Sequence, residues 1–280
     1  MNVKISNQVE SVNEYYNKSS YGYKYLLWGY QHFGYHPLGK KIQEKEAVVL
    51  MQDKVGEKLK IKNGWRVLDA GCARGLAAIH FSKKFGCKID GVDVNPLLIA
   101  GANKNAERLK AKGETKFCMM DYSNLDFAEE DFDAVYTMET LCHSPDVGKT
   151  LREFHRILKN KGKIALLEYT FEQDNKFSAY ELNILEKLMR ATATTQMKNF
   201  RHNTFQKIIE GAGFNKIQCE DVSKNVMPSL YRFKKMAFVP YNIIKPFKLQ
   251  EKFPNLTIAI EWTKMVEKGL IRHNIFTAKK

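Results

Sequence analysis

The alternation of apolar runs and amphipathic stretches along the chain predicts strands that alternate with helices. Short apolar runs are predicted as seven β-strands, at residues 65–69, 88–93, 116–120, 132–138, 163–169, 214–222 and 271–279. Stretches with apolar residues at helical spacing are predicted as helices at residues 44–59, 76–85, 95–112, 147–158 and 204–212. This order is typical of an α/β fold with a doubly wound, mostly parallel seven-stranded sheet.

Three segments outside this alternation are too long to be ordinary connections. About 34 residues separate the fifth strand from the next helix, and nearly 50 separate the sixth and seventh strands. With the amino-terminal segment, we expect them to form a helical, aromatic cap over a site on the sheet. The predicted organisation is an N-terminal lid and helix (1–60), a core (61–170), a cap insert (171–203), further core (204–222), a second cap insert (223–269) and the last core strand (270–280).

The amino-terminal segment is dense in aromatic and imidazole rings. These are Tyr15, Tyr16, Tyr21, Tyr23, Tyr25, Trp28, Tyr30, His32, Phe33, Tyr35 and His36. Such a cluster can pack on the core as ordinary hydrophobic side chains. It can also form a lid that surrounds a cation, because the face of an aromatic ring attracts a sulfonium or ammonium group. The sequence leaves both interpretations open.

The composition permits a sizeable core and gives no sign of a membrane span. Hydrophobic residues make up 44% of the 280 residues, and no apolar run approaches the ~18 residues that a transmembrane helix needs. The first residues contain no apolar signal region. Five scattered cysteines favour a reducing cytoplasm over a disulfide or zinc framework, and no metal site is expected.

The net charge of +14 is unevenly distributed along the chain. Residues 224–280 contain 12 Lys and Arg against 3 acids, whereas residues 61–170 contain 17 against 15. The basic carboxyl-terminal region is either an ordinary solvated face or a surface for an anionic substrate or for peripheral contact with an anionic membrane. The sequence does not indicate an oligomeric state.

The stretch after the first predicted strand has the residues of a nucleoside-binding turn. Residues 71–75 (Gly-Cys-Ala-Arg-Gly) join this strand to a helix, and Asp93 ends the second strand 18 residues further on. A carboxylate there can accept hydrogen bonds from both ribose hydroxyls. The glycine spacing does not match a dinucleotide fingerprint, and Asp69 before the turn would repel a pyrophosphate. Asp69 suits a ligand with an ammonium and a sulfonium, so the predicted cofactor is S-adenosyl-L-methionine, with S-adenosyl-L-homocysteine as product.

Side chains at the other strand ends complete the predicted site. Asp121 is expected to accept a hydrogen bond from the adenine amine, and Tyr122 to pack on the ring. Glu139 and His143 follow the fourth strand, which lies beside the first in this topology, so they are the predicted catalytic residues. The predicted cofactor-binding residues are Tyr16, Trp28, Asp69, Gly71, Cys72, Ala73, Gly75, Asp93, Val94, Asp121, Tyr122 and Met138.

These motifs resemble the class I S-adenosylmethionine-dependent methyltransferases, and among them the sterol C-methyltransferase and tocopherol methyltransferase group. The similar stretches are residues 15–16, 28–32, 67–72, 132–136, 139–146 (Glu-Thr-Leu-Cys-His-Ser-Pro-Asp), 156–162 and 267–279. Two positions depart from the family pattern. Ala73 replaces the usual middle glycine, and residues 159–162 (Lys-Asn-Lys-Gly) replace the usual Lys-Pro-Gly-Gly turn.

The resemblance implies methyl transfer to a small, apolar, prenyl- or sterol-like acceptor at carbon or oxygen. Our hypothesis is that Glu139 or His143 positions the nucleophile or removes a proton, while Tyr16 and Trp28 close over the methionine part of the cofactor. If the acceptor is an alkene, methylation leaves a carbocation that aromatic faces and Glu139 would stabilise.

Three alternatives remain at this point. N-methylation of a small amine or phosphobase would need a carboxylate cage, for which Glu139 and Glu168 are the evident candidates. Nucleic-acid methylation is disfavoured, because the fourth strand lacks the Asn/Asp-Pro-Pro motif of base-flipping enzymes and the chain shows no recognised nucleic-acid-binding module. A non-catalytic nucleoside sensor could share the fold, since fold does not settle function.

Overall fold

A computed structural model describes residues 7–26, 29–111 and 113–280. Its centre is one sheet of seven strands, β1 (Arg66–Ala70), β2 (Lys88–Asp93), β3 (Thr115–Met119), β4 (Phe132–Met138), β5 (Leu158–Phe171), β6 (Asn215–Asp221) and β7 (Ile271–Lys279). The strand order is β3-β2-β1-β4-β5-β7-β6. Strand β7 runs antiparallel to β5 and β6, and the other pairs are parallel. The predicted doubly wound, mostly parallel α/β sheet is therefore confirmed.

Helices flank the sheet and continue beyond the carboxyl ends of its strands. They are α1 (Asn7–Leu26), α2 (Glu44–Leu59), α3 (Leu76–Phe85), α4 (Pro96–Arg108), α5 (Val147–Ile157), α6 (Ala179–Ala191), α7 (Phe205–Gly211), α8 (Ser223–Ile244), α9 (Pro254–Thr257) and α10 (Thr263–Glu267). A π-helical turn, Ile258–Trp262, connects α9 to α10, and a 3₁₀ turn, Leu141–His143, follows β4. No helix in the described part of the chain is both long and apolar enough to cross a bilayer.

The core explains why the central strands carry almost continuous apolar residues. Val67, Leu68 and Ala70 of β1 are fully buried, because helices cover both faces of the sheet. Phe81 of α3 packs on Tyr136 of β4, with their ring centroids 4.7 Å apart. Burying a large apolar side chain is worth ~1.5–3 kcal/mol, so this central layer holds the strand ends in place.

The site crevice lies where the chain reverses direction across the sheet. From β1 the chain proceeds outward to β2 and β3, and it then returns to place β4 on the other side of β1. In this arrangement, neighbouring strands at the reversal point leave their carboxyl ends open to a ligand. Asp69, near the end of β1, is paired in register with Gly91 of β2 and Tyr136 of β4.

Several element boundaries differ from the predictions. Helix α1 was not predicted, although Val12, Tyr15 and Ser19 form a buried stripe at helical spacing. Helix α4 ends at Arg108, earlier than the predicted residue 112. Strand β5 is longer than predicted because it includes the turn at residues 159–162, which bulges between two registered pairs of β4 and β5.

Helix α8 is held by a small core of its own and by buried polar contacts. Ala237, Tyr241 and Ile244 of α8 pack on Ala259 and Ile260 of the π-helical turn, apart from the main core. A separate contact fastens the first part of α8 to the amino-terminal region. There, Ser229 Oγ donates to Glu44 Oε1 at 2.6 Å and accepts from the Gly34 amide at 3.2 Å. Helix α8 is thus anchored to the segment that leads into α2.

Candidate active site

The turn after β1 needs small residues for steric and conformational reasons. Gly71 has φ +85°, and a Cβ there would lie 2.1 Å from the Thr140 hydroxyl oxygen. Gly75 has φ +68°, and its Cβ would lie 2.5 Å from the Phe117 ring. Ala73, between them, also has a positive φ of 48°, the backbone conformation that favours glycine. This explains why its position is usually a glycine in the family that the sequence resembles.

Two carboxylates flank this turn, and they have different partners. Asp69 is 3% exposed, and its Oδ2 has no hydrogen-bond partner among the described residues. Asp93 accepts from the Ala73 amide at 3.0 Å and from the Asn95 amide at 2.9 Å. Burial raises the pKa of Asp69 to about 7 and that of Asp93 to about 6. The nearby Tyr136 hydroxyl counteracts part of the rise in the pKa of Asp69, and Asp69 is the carboxylate that lacks a cationic partner among the described residues.

Most of the predicted cofactor-binding residues line one cavity, which we call the first cavity. Those that line it are Tyr16, Asp69, Gly71, Cys72, Ala73, Asp93, Val94, Asp121, Tyr122 and Met138. Gly75 is not among its lining residues; the Cβ direction of Gly75 faces Phe117 and Ala102. Trp28 lies outside the described residues. The strand ends and α1 thus bring together residues that are far apart in sequence.

The first cavity also contains polar residues that the sequence did not single out. Gln52 of α2 is fully buried, its Nε2 lies 3.2 Å from His32 Nε2, and its Oε1 has no partner within the described chain. Burial lowers the pKa of His32 to about 4, so this imidazole is neutral. Gln31, Arg74 and Thr140 line the same cavity. No local motif marks Gln52, whereas Gln31, Arg74 and Thr140 lie within the stretches 28–32, 71–75 and 139–146, where the sequence assigned them no role.

These features fit S-adenosylmethionine. A buried carboxylate oxygen without a donor suits an ammonium group, since a buried charge needs a partner. The positive-φ turn brings backbone close to the ligand space without a side chain in between. Asp93 lies at the end of β2, where a ribose is bound in folds of this topology. The residues present therefore match the charge and the shape of a cationic nucleoside.

Glu139 lies just past the end of β4 in a strained backbone conformation. Its φ is +57°, although it carries a full side chain, and strain of this kind tends to concentrate at functional sites. One carboxylate oxygen accepts from the Phe33 amide at 3.2 Å, and the other accepts from the Tyr169 hydroxyl. Burial raises the pKa of Glu139 to about 7. Near neutral pH, this carboxyl group can therefore either hold or release a proton.

Glu168 stabilises the backbone that follows Glu139. Its Oε1 accepts from the Thr140 amide at 3.0 Å and from the Leu141 amide at 2.7 Å. The side chain is fully buried, and burial raises its pKa to about 8. Glu168 is therefore mostly protonated at neutral pH, and it fixes the loop without adding a full negative charge.

His143 is held between α1 and the segment that follows α6. Burial lowers its pKa to about 4, so the ring is neutral at physiological pH. Its Nδ1 lies 3.3 Å from the Ala193 carbonyl oxygen, and its Nε2 lies 2.9 Å from the Tyr16 hydroxyl. Because only an N–H can donate to a carbonyl, the proton belongs on Nδ1, and Nε2 accepts from Tyr16. The basic nitrogen of His143 is thus engaged by Tyr16.

A second cavity opens on the other side of Glu139, and its lining is mainly apolar and aromatic. The rings come from Tyr15, Tyr16, Phe33, Tyr169, Phe233 and Trp262, and the aliphatic side chains include Leu188, Met189, Met197, Leu230 and Met236. The two cavities share Tyr16, Gln31, His32, Glu139 and His143. Both residues predicted as catalytic therefore lie at the junction of the first cavity, which contains the buried carboxylates, and the mainly apolar second cavity.

The chain is similar in sequence to proteins that use S-adenosylmethionine. Residues 68–166 match the family model described as a methyltransferase domain. The chain is 28% identical over 255 residues to an S-adenosyl-L-methionine-dependent Diels-Alderase of Talaromyces variabilis, covering 88% of this chain and 87% of the relative. It is 26% identical over 229 residues to a sterol 24-C-methyltransferase of Saccharomyces cerevisiae (79% and 57% covered). It is 23% identical over 290 residues to the chloroplastic tocopherol O-methyltransferase of Arabidopsis thaliana (97% and 82% covered).

Solved structures match nearly the whole chain. The cyclopropane synthase MmaA2 of Mycobacterium tuberculosis superposes with a TM-score of 0.84 at 14% identity, covering 99% of this chain and all of that one. The (4+2)-cyclase SpnF superposes with a TM-score of 0.77 at 20% identity, covering 96% and 94%. At these identities, the likeness shows the fold.

The fold and the nucleoside-binding turn define a class I methyltransferase that uses S-adenosylmethionine. Within that class, the chain is similar to sterol 24-C-methyltransferases and to a tocopherol O-methyltransferase. The family resemblance, the enzyme class and the cofactor predicted from the sequence are thereby confirmed.

Proposed function

We propose that this enzyme transfers a methyl group to a small apolar acceptor, prenyl- or sterol-like in chemistry, at carbon or oxygen. The observation that carries the proposal is the meeting of the two cavities at Glu139. The second cavity has a volume of about 310 Å³, at the lower end of the range of small-molecule pockets. The named activities of the sterol and tocopherol relatives support an acceptor of this kind.

In the first cavity, the cofactor would be held by four side chains in distinct roles. Asp69 would pair with the ammonium, Asp93 would accept from the ribose hydroxyls, and Asp121 with Tyr122 would bind the adenine. S-adenosylmethionine supplies a methyl group bonded to a positively charged sulfur. Holding the two reactants in line can contribute ~7–11 kcal/mol, so positioning is the main task of the protein.

Glu139 is the stronger candidate for the catalytic base. With a pKa of about 7, its carboxylate can accept the proton that an acceptor hydroxyl loses when oxygen is methylated. For a methylated alkene, the same carboxylate can accept the proton that the carbocation loses, while the faces of Phe33, Tyr169 and Trp262 stabilise the cation. His143, whose basic nitrogen accepts from Tyr16, would position that tyrosine between the cavities.

N-methylation ranks below this proposal because the second cavity lacks a carboxylate cage. Among the described residues that line it, Glu139 is the only acid. Glu168, the other candidate, lies outside the lining and uses one oxygen to accept from two backbone amides. A cationic amine acceptor would therefore meet a single carboxylate.

A second candidate function is intramolecular cycloaddition without methyl transfer. It is favoured by the likeness to a relative named as an S-adenosylmethionine-dependent Diels-Alderase, which extends over 88% of this chain. The aromatic second cavity could fold a polyene as readily as it could hold a terpenoid. The two functions differ in one observable, because cycloaddition conserves substrate mass and leaves the methyl group on the cofactor.

The first test is a methyl-transfer assay with S-adenosylmethionine labelled in its methyl group. The acceptor panel contains a sterol, a prenol, a prenylated phenol and phosphoethanolamine. We expect label in an organic-extractable product. Label only in phosphoethanolamine would overturn the proposal, and conversion of a linear polyene to an isomer of equal mass, supported equally by S-adenosylhomocysteine, would establish the cycloaddition instead.

A variant pair tests the role of Glu139. Glu139→Gln should lower kcat by ~10²–10⁴-fold, the usual contribution of a positioned base, and should leave the Kd for S-adenosylmethionine within a factor of about three. Glu129→Gln, at an exposed position, makes the same chemical change away from the site and should have wild-type kcat. Equal kcat for Glu139→Gln and Glu129→Gln would remove Glu139 from the chemistry.

A further inference from the structure

Helix α8 and the loop that follows it expose a concentrated set of large apolar side chains. Between residues 231 and 253 these are Tyr231, Met236, Phe238, Val239, Ile243, Phe247 and Phe253, with exposed fractions from 45% to 71%. In the rest of the described chain, exposed large apolar residues are isolated, as with Leu38 and Leu97. We call residues 231–253 the α8 surface. A patch of this kind on a protein surface usually marks an interaction site.

The same surface is strongly basic. Residues 231–253 contain six Lys and Arg and a single acid, Glu251. Lys235, Lys245, Lys248 and Lys252 are exposed among the apolar side chains. The end of α8 and the loop after it together present both lysines and large apolar residues to solvent, a composition typical of interfacial membrane-binding segments. Its charge is complementary to an anionic lipid surface, which attracts juxtaposed basic residues.

The α8 surface is continuous with the mouth of the second cavity. Phe233 and Ala237, on the inner face of α8, line that cavity. Met236 lines it too and is 46% exposed, so it lies at the opening. Asn255, just beyond the α8 surface, also lines the cavity and is exposed. The inner face of α8 therefore lines the second cavity, and its outer face belongs to the α8 surface.

We propose that the α8 surface docks on an anionic lipid bilayer, so that the mouth of the second cavity opens toward the hydrocarbon layer and receives its acceptor from the membrane. This inference rests on the proposed apolar acceptor. Phe238, Ile243 and Phe247 enter the interface, and the surrounding lysines contact lipid headgroups. An apolar acceptor then moves from the bilayer into the cavity without crossing water, where its solubility is low.

The experiment measures co-sedimentation of the full chain with large unilamellar vesicles. One set is pure phosphatidylcholine, and the other contains 30% phosphatidylserine as the anionic lipid. We expect binding at least tenfold tighter to the anionic vesicles at low salt, and weaker binding at 0.5 M salt, where surface charges are screened. Equal binding to both vesicle types, or no binding to either, overturns the proposal.

Two variants with matched controls locate the contact. Phe238→Ser combined with Phe247→Ser should weaken vesicle binding at least tenfold, whereas Leu38→Ser combined with Leu97→Ser removes two exposed leucines elsewhere and should leave it unchanged. Wild-type vesicle binding by the phenylalanine variant overturns the proposal. So does an equal loss in the leucine control, because the binding would then not be local to α8.

The lysines are tested in the same way. Changing Lys235, Lys245, Lys248 and Lys252 to Gln should weaken binding to anionic vesicles by about fivefold per residue. The control changes four exposed lysines of β2, β3 and the α4 region to Gln, namely Lys88, Lys104, Lys110 and Lys116. Both variants lose the same charge. Equal weakening of vesicle binding in the two would mean that binding depends only on net charge, and this would overturn the proposal.

Calorimetric titration with S-adenosylmethionine checks that each variant remains folded and binds cofactor. It also separates this inference from the proposed function. If a variant loses vesicle binding but binds the cofactor normally, the result bears on the α8 surface and not on the methyl transfer. If the labelling assay instead shows methylation of a water-soluble acceptor, the result contradicts the proposed apolar acceptor.

Discussion

Replacing Asp69 with Asn should change the pH dependence of cofactor binding in a calculable way. Asp69 has a pKa of about 7 in the unliganded protein because burial disfavours its charge. A cationic ligand favours the charged form, so binding would release the proton. Affinity is then full above pH 7 and falls as the pH decreases, which weakens binding about tenfold between pH 8 and pH 6.

Asp69→Asn removes both the charge and its titration. A hydrogen bond to a charged group contributes ~1.5–3 kcal/mol, so the variant should bind S-adenosylmethionine roughly 10- to 150-fold more weakly at pH 8. The ligand's own amine titrates near pH ~8, but it does so equally for both proteins. The ratio of the two dissociation constants therefore isolates Asp69, and it should shrink about tenfold from pH 8 to pH 6.

The same substitution should stabilise the unliganded protein at high pH, although it weakens cofactor binding. The pKa of Asp69 is raised from 3.8 to about 7 in the folded state. The buried, protonated Asp69 is therefore fully tolerated by the folded protein below pH 3.8, and this contribution to the free energy of unfolding is lost as the pH rises through 7. About three pKa units correspond to up to ~4 kcal/mol. Asp69→Asn should thus raise Tm at pH 8, and raise it less at pH 5.

Isothermal titration calorimetry in two buffers with different ionisation enthalpies measures both affinity and proton release. The wild type should release close to one proton at pH 6, and the variant should release less. Asp93→Asn is the control: it removes the other buried carboxylate of the first cavity, and it should keep the titration of Asp69 but move it to lower pH, because the charge of Asp93 helps to raise the pKa of Asp69. Undiminished affinity of Asp69→Asn at pH 8, or an unchanged pH profile, would refute the assignment of Asp69 to the ammonium.

Three further predictions concern the loop around the junction. Tyr169→Phe should raise the pKa of Glu139 by about one unit, because the hydroxyl that stabilises the carboxylate is lost; an unshifted pH–rate profile for methyl transfer would contradict this. Glu168→Ala should cost ~2–3 kcal/mol in denaturant unfolding, whereas Glu168→Gln, which keeps an acceptor for both amides, should cost under ~1 kcal/mol; equal costs would contradict the loop-fixing role. Gly71→Ala should lower cofactor affinity more than tenfold, whereas Gly64→Ala, with a similar φ but open space around it, should not.

The sequence predicted the sheet well because its signals are local. Strands β4 and β7 begin and end where predicted, since each is an apolar run bounded by polar or turn residues. Strand β5 was predicted too short because a four-residue bulge interrupts its pattern without ending its pairing. Helix α1 was missed because its first half is mostly polar and its aromatic residues suggested an irregular lid.

The candidate site was predictable at strand ends and less so elsewhere. Topology alone brings Asp69, Asp93 and Glu139 to one edge of the sheet, so these residues could be selected without coordinates. The roles of Gln52 and Glu168 come from contacts over long sequence separations, which no motif encodes. The roles assigned to the site residues, Trp28 included, remain predictions.

The backbone of Glu139 links the geometry of the site to its chemistry. A non-glycine residue with φ +57° is unfavourable on its own, so the surrounding contacts must hold it there. Glu168 fixes the two amides that follow, and Tyr169, packed edge-on against Trp262 with ring centroids 5.0 Å apart, donates to the carboxylate. Since Trp262 lines the second cavity, a ligand there would contact the ring that positions the hydroxyl donor of Glu139. We therefore expect a ligand in the second cavity to shift the pKa of Glu139, which a pH titration with and without the ligand would show.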